Sequence, residues 1–254
     1  MLFFSLIFYH CLNIYMTHKI HYTEDEFIYV VEQSFDKNYS FVINGTNKNN
    51  IWEEQSLHVF YNIVKNDNRP VKNIIDAGAN VGLYSLYAKF LPNANFYSFE
   101  PFKKTFDILN KNIELNNINN VKTFNFGLSD KKETKELKIS FDNNGLNTIS
   151  DNPLRFNAND VSIINVDTID NLFYDKDIEV NYIKIDTEGF EYYILKGAEK
   201  TIKKYKPIIQ IEYVKTNMEQ CNVKLEQIEK IINDLNYKKH SFISEELIIT
   251  PNEY

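Results

Sequence analysis

From Val71 onward, short β-rich apolar runs alternate with helical stretches: a strand over 71–76, a helix over 82–90 stopped by Pro92, a strand over 95–100, a longer helix over 102–116 and a strand over 121–126. This βαβαβ rhythm, compressed into about sixty residues, leaves few folds open, because parallel strands need crossover connections whose helices then cover the sheet. The alternation resumes with a strand over 180–186, a helix over 188–205, a strand over 207–213, a helix over 224–235, and two short strands near 238–243 and 247–250. The chain therefore reads as α/β: a Rossmann-like, mostly parallel seven-stranded sheet with helices on both faces.

At 254 residues, one such domain nearly exhausts the chain. The domain is placed over 51–254, with a helix over 53–64 leading into it, and residues 1–50 form a small N-terminal accessory segment. Within that segment, strands are expected at 27–31 and 39–43, with a hairpin turn at Asn44-Gly45. Residues 1–16 are apolar but lack a basic leader and a small-residue cleavage site. They are also shorter than the ~20 residues of a spanning helix. A packed or interfacial element is the first reading; a signal-anchor and a misassigned start are the alternatives, so weak membrane association through 1–16 stays open. Between residues 130 and 167 the pattern is less regular: 136–141 alternates as an edge strand and 143–159 reads as a loop overhanging the active face.

Charge narrows the function. The net charge is −7 and Arg occurs only at positions 69 and 155, which argues against a phosphate-binding surface and hence against nucleic acid. Cys11 and Cys221 are too far apart in sequence to suggest a disulfide framework or a metal cluster, and suit a reducing, cytoplasmic setting.

The first strand ends in Ile74-Ile75-Asp76-Ala77-Gly78-Ala79-Asn80-Val81-Gly82. Gly78 lets the chain turn tightly and Gly82 admits close packing, so a ligand can touch backbone here. Asn80 stands where the dinucleotide fingerprint has its second glycine, which disfavours a pyrophosphate and favours a cofactor with an amino-acid tail. Glu100, followed by Pro101, ends the next strand about 20 residues on, where a carboxylate can accept from both hydroxyls of a ribose. Ser129 and Asp130 follow the third strand, where an adenine edge would lie. The fourth strand ends in Lys184-Ile185-Asp186-Thr187-Glu188-Gly189-Phe190-Glu191, and alternation puts Lys184 and Asp186 on one side, with Glu188 and Glu191 in the first turn of a helix. Lys184 reads as an internal partner of a carboxylate. These acids beside Glu212 could hold a divalent cation, but no spacing forces it, and no metal is assigned. No histidine is assigned to the site, and Tyr84, Tyr87, Tyr192 and Tyr193 read as packing residues.

The segments IIDAGANVGLYSL, FYSFEPFKKTFDILNKNIELN, VDTIDNL and YIKIDTEGFEYYILKGAEKTIKKYKPIIQIEY resemble the FkbM family of S-adenosylmethionine-dependent methyltransferases, over about residues 52–213. The resemblance implies a class I methyltransferase fold, S-adenosylmethionine as cofactor, and O-methylation of a sugar, glycan or small-metabolite hydroxyl. It also implies that Asp76, Gly78, Asn80, Gly82 and Glu100 line the cofactor, with Asp186 beside the reacting methyl and Trp52-Glu53 closing over it. A hydroxyl acceptor needs a group within reach of its proton. Asp186 is expected as base or orienting group, with Glu188 and Glu212 as alternatives. A nicotinamide-dependent oxidoreductase, for which Glu100 is equally suitable, and a non-catalytic Rossmann-like binding module are the competing readings.

Overall fold

The computed structural model describes residues 15–21, 27–33, 53–140, 144–151, 153 and 160–254. Strands β1 (Tyr15–His21) and β2 (Phe27–Gln33) pair antiparallel. The strand expected at 27–31 is thus present, but its partner is 15–21; the strand and turn expected at 39–45 lie outside the described residues, as do residues 1–14 and Trp52.

Helix α1 (Glu54–Asn66) buries Leu57, Phe60, Tyr61 and Val64, a stripe at the i, i+3, i+4, i+7 spacing. There follow β3 (Lys72–Ala77), a 3-10 helix (Ser85–Phe90), β4 (Ala94–Phe99), α2 (Lys103–Leu115) and β5 (Val121–Phe124). Next come β6 (Gly127–Leu128), β7 (Glu133–Ile139), β8 (Asp160–Asp167) and α3 (Ile169–Leu172). The chain closes with β9 (Tyr182–Ile185), α4 (Glu191–Lys196), α5 (Glu199–Tyr205), β10 (Ile208–Glu212), α6 (Lys215–Gln220), α7 (Leu225–Asp234), β11 (Tyr237–Ile243) and β12 (Glu246–Pro251).

Seven strands form one sheet in the order β11-β12-β10-β9-β3-β4-β5, parallel from β5 to β10, with β12 and β11 added antiparallel. The strand alternation sorts the core. Ile75, Ile183 and Ile209 point to the face covered by α4, α5 and α7, whereas Ile74, Tyr182 and Ile208 point to the face covered by α1 and the 3-10 helix. Each fully buried aliphatic side chain contributes roughly 1.5–3 kcal/mol against exposure. Chain order reverses at β3, which has β4 on one side and β9 on the other. The crevice beyond the strand ends at such a switch point is where open α/β sheets bind ligands.

Three expectations are corrected. The helix expected over 82–90 is a 3-10 helix confined to Ser85–Phe90, because the stretch between Gly82 and Pro92 is short and closes on i→i−3 bonds such as Tyr87 N–H to the Tyr84 carbonyl, 3.1 Å. The helix expected over 188–205 is two helices, α4 and α5, broken at Gly197, against which the Ser129 carbonyl packs so closely that a Cβ would lie 1.9 Å from it. The edge strand expected at 136–141 is β7, in a separate sheet of order β6-β8-β7. Among the described residues, no helix is long and apolar enough to cross a membrane.

Candidate active site

The cleft at the switch point is lined on one side by the turn after β3, with Gly78, Asn80 and Tyr84, and by Glu100 and Pro101 after β4; on the other by Lys184, Asp186 and Glu188 after β9 and by Glu212 ending β10. Gly78 sits at φ 76°, and a Cβ there would lie 1.9 Å from the Asp186 carbonyl oxygen, so the two strand ends touch through this residue. Its N–H and that of Ala79 both donate to the Phe99 carbonyl, at 3.1 and 2.9 Å, fixing the turn against the end of β4. Asn80, at φ 50°, donates its backbone N–H to Glu100 Oε2 at 3.0 Å, and Phe102 N–H donates to Oε1 at 2.8 Å. Burial pushes the Glu100 carboxyl up to about 7 against the pull of these two amides.

Behind the wall, Asp76, Lys184 and Gln210 are register partners across β3, β9 and β10 and make a polar rung on the α1 face. Asp76 is buried and outside the cleft lining. Its Oδ2 accepts from Ser85 Oγ at 2.6 Å, its Oδ1 has no hydrogen-bond partner among the described residues, and burial raises its pKa. The Lys184 ammonium donates to Asp186 Oδ2 at 3.0 Å and lies 4.6 Å from the centroid of the Tyr84 ring. Burial alone would depress this ammonium, but Asp186, with Asp76, Glu53 and Glu246 around it, holds its pKa above the ordinary range. Carboxylate atoms of Glu53, Asp186 and Glu246 gather within 4.8 Å of one another, and Lys184 is the cation placed against them.

Glu53 lines the cleft from the residue before α1, held at φ 55°, and accepts from the Tyr84 hydroxyl at 3.4 Å. Gly82 lies outside the cleft lining; a Cβ there would meet Leu109 Cδ1 of α2 at 2.5 Å. Ser129 is fully buried and Asp130 faces a neighbouring groove, so at this strand end Gly127 and Leu128 are the residues on the cleft wall. Of the described part of the loop over 143–159, Gly145, Leu146, Asn147 and Ile149 line the cleft.

After β9, Glu188 sits at φ 54° in the turn rather than in a helix, and Glu191 opens α4. Glu191 is an anchor: one carboxylate oxygen accepts from Thr187 N–H and Thr187 Oγ1, both 2.9 Å, and from Gly189 N–H at 3.3 Å. Asn217 of α6 donates its amide to Glu188 and to Glu212, 2.9 Å each, tying the two acids together. Tyr84, Gln210, Asn217 and Glu246 are members of this network that sequence reasoning missed. Glu246 accepts from Tyr84 at 3.2 Å and from the Gln210 amide, but it comes from an antiparallel strand with no motif to mark it.

A family model described as the methyltransferase FkbM domain matches residues 76–239. The methyltransferase sdnD of Sordaria araneosa is 31% identical over 156 residues, which are 50% of this chain and 60% of that protein. Methyltransferase 1 of Beauveria bassiana (strain ARSEF 2860) is 28% identical over 151 residues, 50% of this chain and 58% of that protein, so the chain spans less than two thirds of either relative. Among solved structures, a methyltransferase FkbM from Methylobacillus flagellatus KT aligns with a TM-score of 0.45 at 19% identity, covering 71% of this chain and 43% of that one.

Proposed function

The chain belongs to the FkbM family of S-adenosylmethionine-dependent methyltransferases, and from that premise we propose that it transfers a methyl group to a hydroxyl of a sugar, glycan or small metabolite. The observation that carries this reading is the convergence, in one cleft, of the Gly78 turn and Glu100 with the three carboxylates Asp186, Glu188 and Glu212. The donor set suits the cofactor. A carboxylate has about four acceptor sites, and only two on Glu100 are taken by amides, so each oxygen keeps one for a ribose hydroxyl. The Gly78 turn presents backbone rather than side chain to whatever lies in the cleft.

Bound S-adenosylmethionine supplies an activated methyl on a sulfonium, so the residues of this chain mainly align the acceptor and exclude water. Asp186, fixed by Lys184, is suited to orient the acceptor hydroxyl, and Glu212 and Glu188 stand beside it. Asp76 supports the turn from behind through Ser85.

Two experiments test the reading. Calorimetric titration with S-adenosylmethionine should give saturable binding that weakens about tenfold to a hundredfold in Glu100→Ala, the loss of hydrogen bonds to a charged acceptor. No binding to a folded wild-type protein would sink the reading. With radiolabelled methyl donor and a panel of glycans and small hydroxylated acceptors, Asp186→Asn should lower turnover about tenfold to a hundredfold while cofactor binding is retained. Unchanged turnover would remove Asp186 from the acceptor side.

A further inference from the structure

Among the described residues, six carboxylate side chains line the cleft (Glu53, Glu100, Asp186, Glu188, Glu212 and Glu245) against one ammonium, Lys184, which Asp186 already engages. Of these acids Glu212 is the one whose arrangement is incomplete. It is only 7% exposed, its Oε1 accepts from Asn217, and its Oε2 is buried with no hydrogen-bond partner among the described residues. A buried carboxylate oxygen without a donor is costly and marks a place where a positive group or a proton belongs. Among the described residues, the charged groups that act on it most strongly are acidic: Asp186 from the end of β9 and Glu188 and Glu191 from the turn and helix that follow, with Glu246 its register partner on β12. Burial, then Asp186, Glu191 and Glu188, push its carboxyl well above the ordinary range, and the Asn217 amide pulls the other way.

We propose that Glu212 makes the cleft sensitive to the charge of the methyl donor: its free oxygen ionises against the sulfonium of S-adenosylmethionine and is reprotonated when that charge has gone, so the cleft holds the donor in preference to S-adenosylhomocysteine, whose sulfur is neutral. The inference rests on the cofactor reading above. In transfer to a hydroxyl, the sulfur–methyl bond breaks with its electron pair returning to sulfur, an oxygen–methyl bond forms, and the proton lost by the hydroxyl ends on the Glu212 carboxyl. The positive charge lost at sulfur is thus restored as a proton on the carboxyl. The same exchange weakens the hold on the spent cofactor and favours its release.

The test is calorimetric titration of the whole chain with S-adenosylmethionine and, separately, S-adenosylhomocysteine, between pH 6 and 8 and in buffers of different ionisation enthalpy. Binding of the donor should release close to one more proton than binding of the by-product. The ratio of the two affinities should grow about tenfold per pH unit wherever that difference is close to one proton, since a ligand that favours the ionised form gains affinity as the group deprotonates. Glu212→Gln should flatten the ratio and abolish the difference in proton release. Asn217→Ala keeps the carboxyl and removes the donor that stabilises its charged form, so the rise should move to higher pH. Equal proton release for the two ligands in wild-type protein, or a difference that survives intact in Glu212→Gln, would overturn the proposal. Failure of both ligands to bind a folded wild-type protein would instead overturn the cofactor reading, and this inference with it.

Discussion

Gly78→Ala is expected to destabilise the protein by about 2–5 kcal/mol and to abolish measurable cofactor binding. The positive φ of 76° costs an L-residue roughly 1–2 kcal/mol on its own. Overpacking a tight site adds about 1–3 kcal/mol. Relief is not cheap here, because the atom in the way is the Asp186 carbonyl oxygen, 1.9 Å from the new Cβ. Asp186 N–H is hydrogen-bonded to the Ala77 carbonyl at 3.1 Å and Gly78 N–H to Phe99 at 3.1 Å, so separating the strand ends disrupts β3 against both neighbours. Gly127→Ala is the comparison: its Cβ would meet nothing nearer than the Val166 Cγ1 methyl at 3.3 Å, which has to give by only a few tenths of an ångström, and its loss should stay below about 1 kcal/mol. Urea unfolding of both variants, with S-adenosylmethionine titration of whichever is folded, decides the matter. Similar midpoints for the two would show that the β3–β9 contact yields more readily than its hydrogen bonds imply.

What could be read from sequence was what is local. β3, β4 and β9 stand where apolar runs end in Gly78, Glu100 and Asp186, because a buried parallel strand is a short apolar run and its ligand-facing end carries the first polar residue. β8 escaped because Val161 and Ile163, 45% and 67% exposed, put apolar residues on its outer face and erase the alternation that Ile164 and Val166 would otherwise show. The break between α4 and α5 escaped for a different reason: it is imposed by Ser129, nearly seventy residues away in sequence, and Gly197 alone is an ambiguous signal. The site divides likewise. Asp186, Glu188, Glu212 and Glu100 announce themselves at strand ends and line the cleft. Asp76, Gly82, Ser129 and Asp130 have equally suggestive positions in sequence, yet lie outside that lining, because a strand end also supplies residues that support the wall from behind. Tyr84 reads as one more packing aromatic and does pack on Phe60, but its hydroxyl joins Glu53, Gln210 and Glu246 across the cleft floor.

Lys184→Met should cost about 3–5 kcal/mol of stability near neutral pH, and the loss should be larger at pH 8 than at pH 5. Removing one member of a buried ion pair leaves its partners charged and desolvated, which outweighs the gain from a more apolar side chain. Here the abandoned groups are Asp186, at 3.0 Å, with Asp76, Glu53 and Glu246 around it. The pH dependence follows from two directions. The folded-state pKa of Lys184 is raised, so its contribution is fully present below the unfolded value of about 10.4 and constant over this range in the wild type. Asp76 and Glu246 are already raised by burial, and in both Lys184 opposes that rise. Without the ammonium they rise further, the folded variant takes up protons that the unfolded chain does not, and its stability falls as pH increases. Urea midpoints for wild type and variant at pH 5 and 8 give the comparison directly. A gap of the same size at both values would mean that Lys184 acts through packing on Tyr84 rather than as the cation of an acidic core, and no gap at all would mean that those carboxylates are neutral in the wild type.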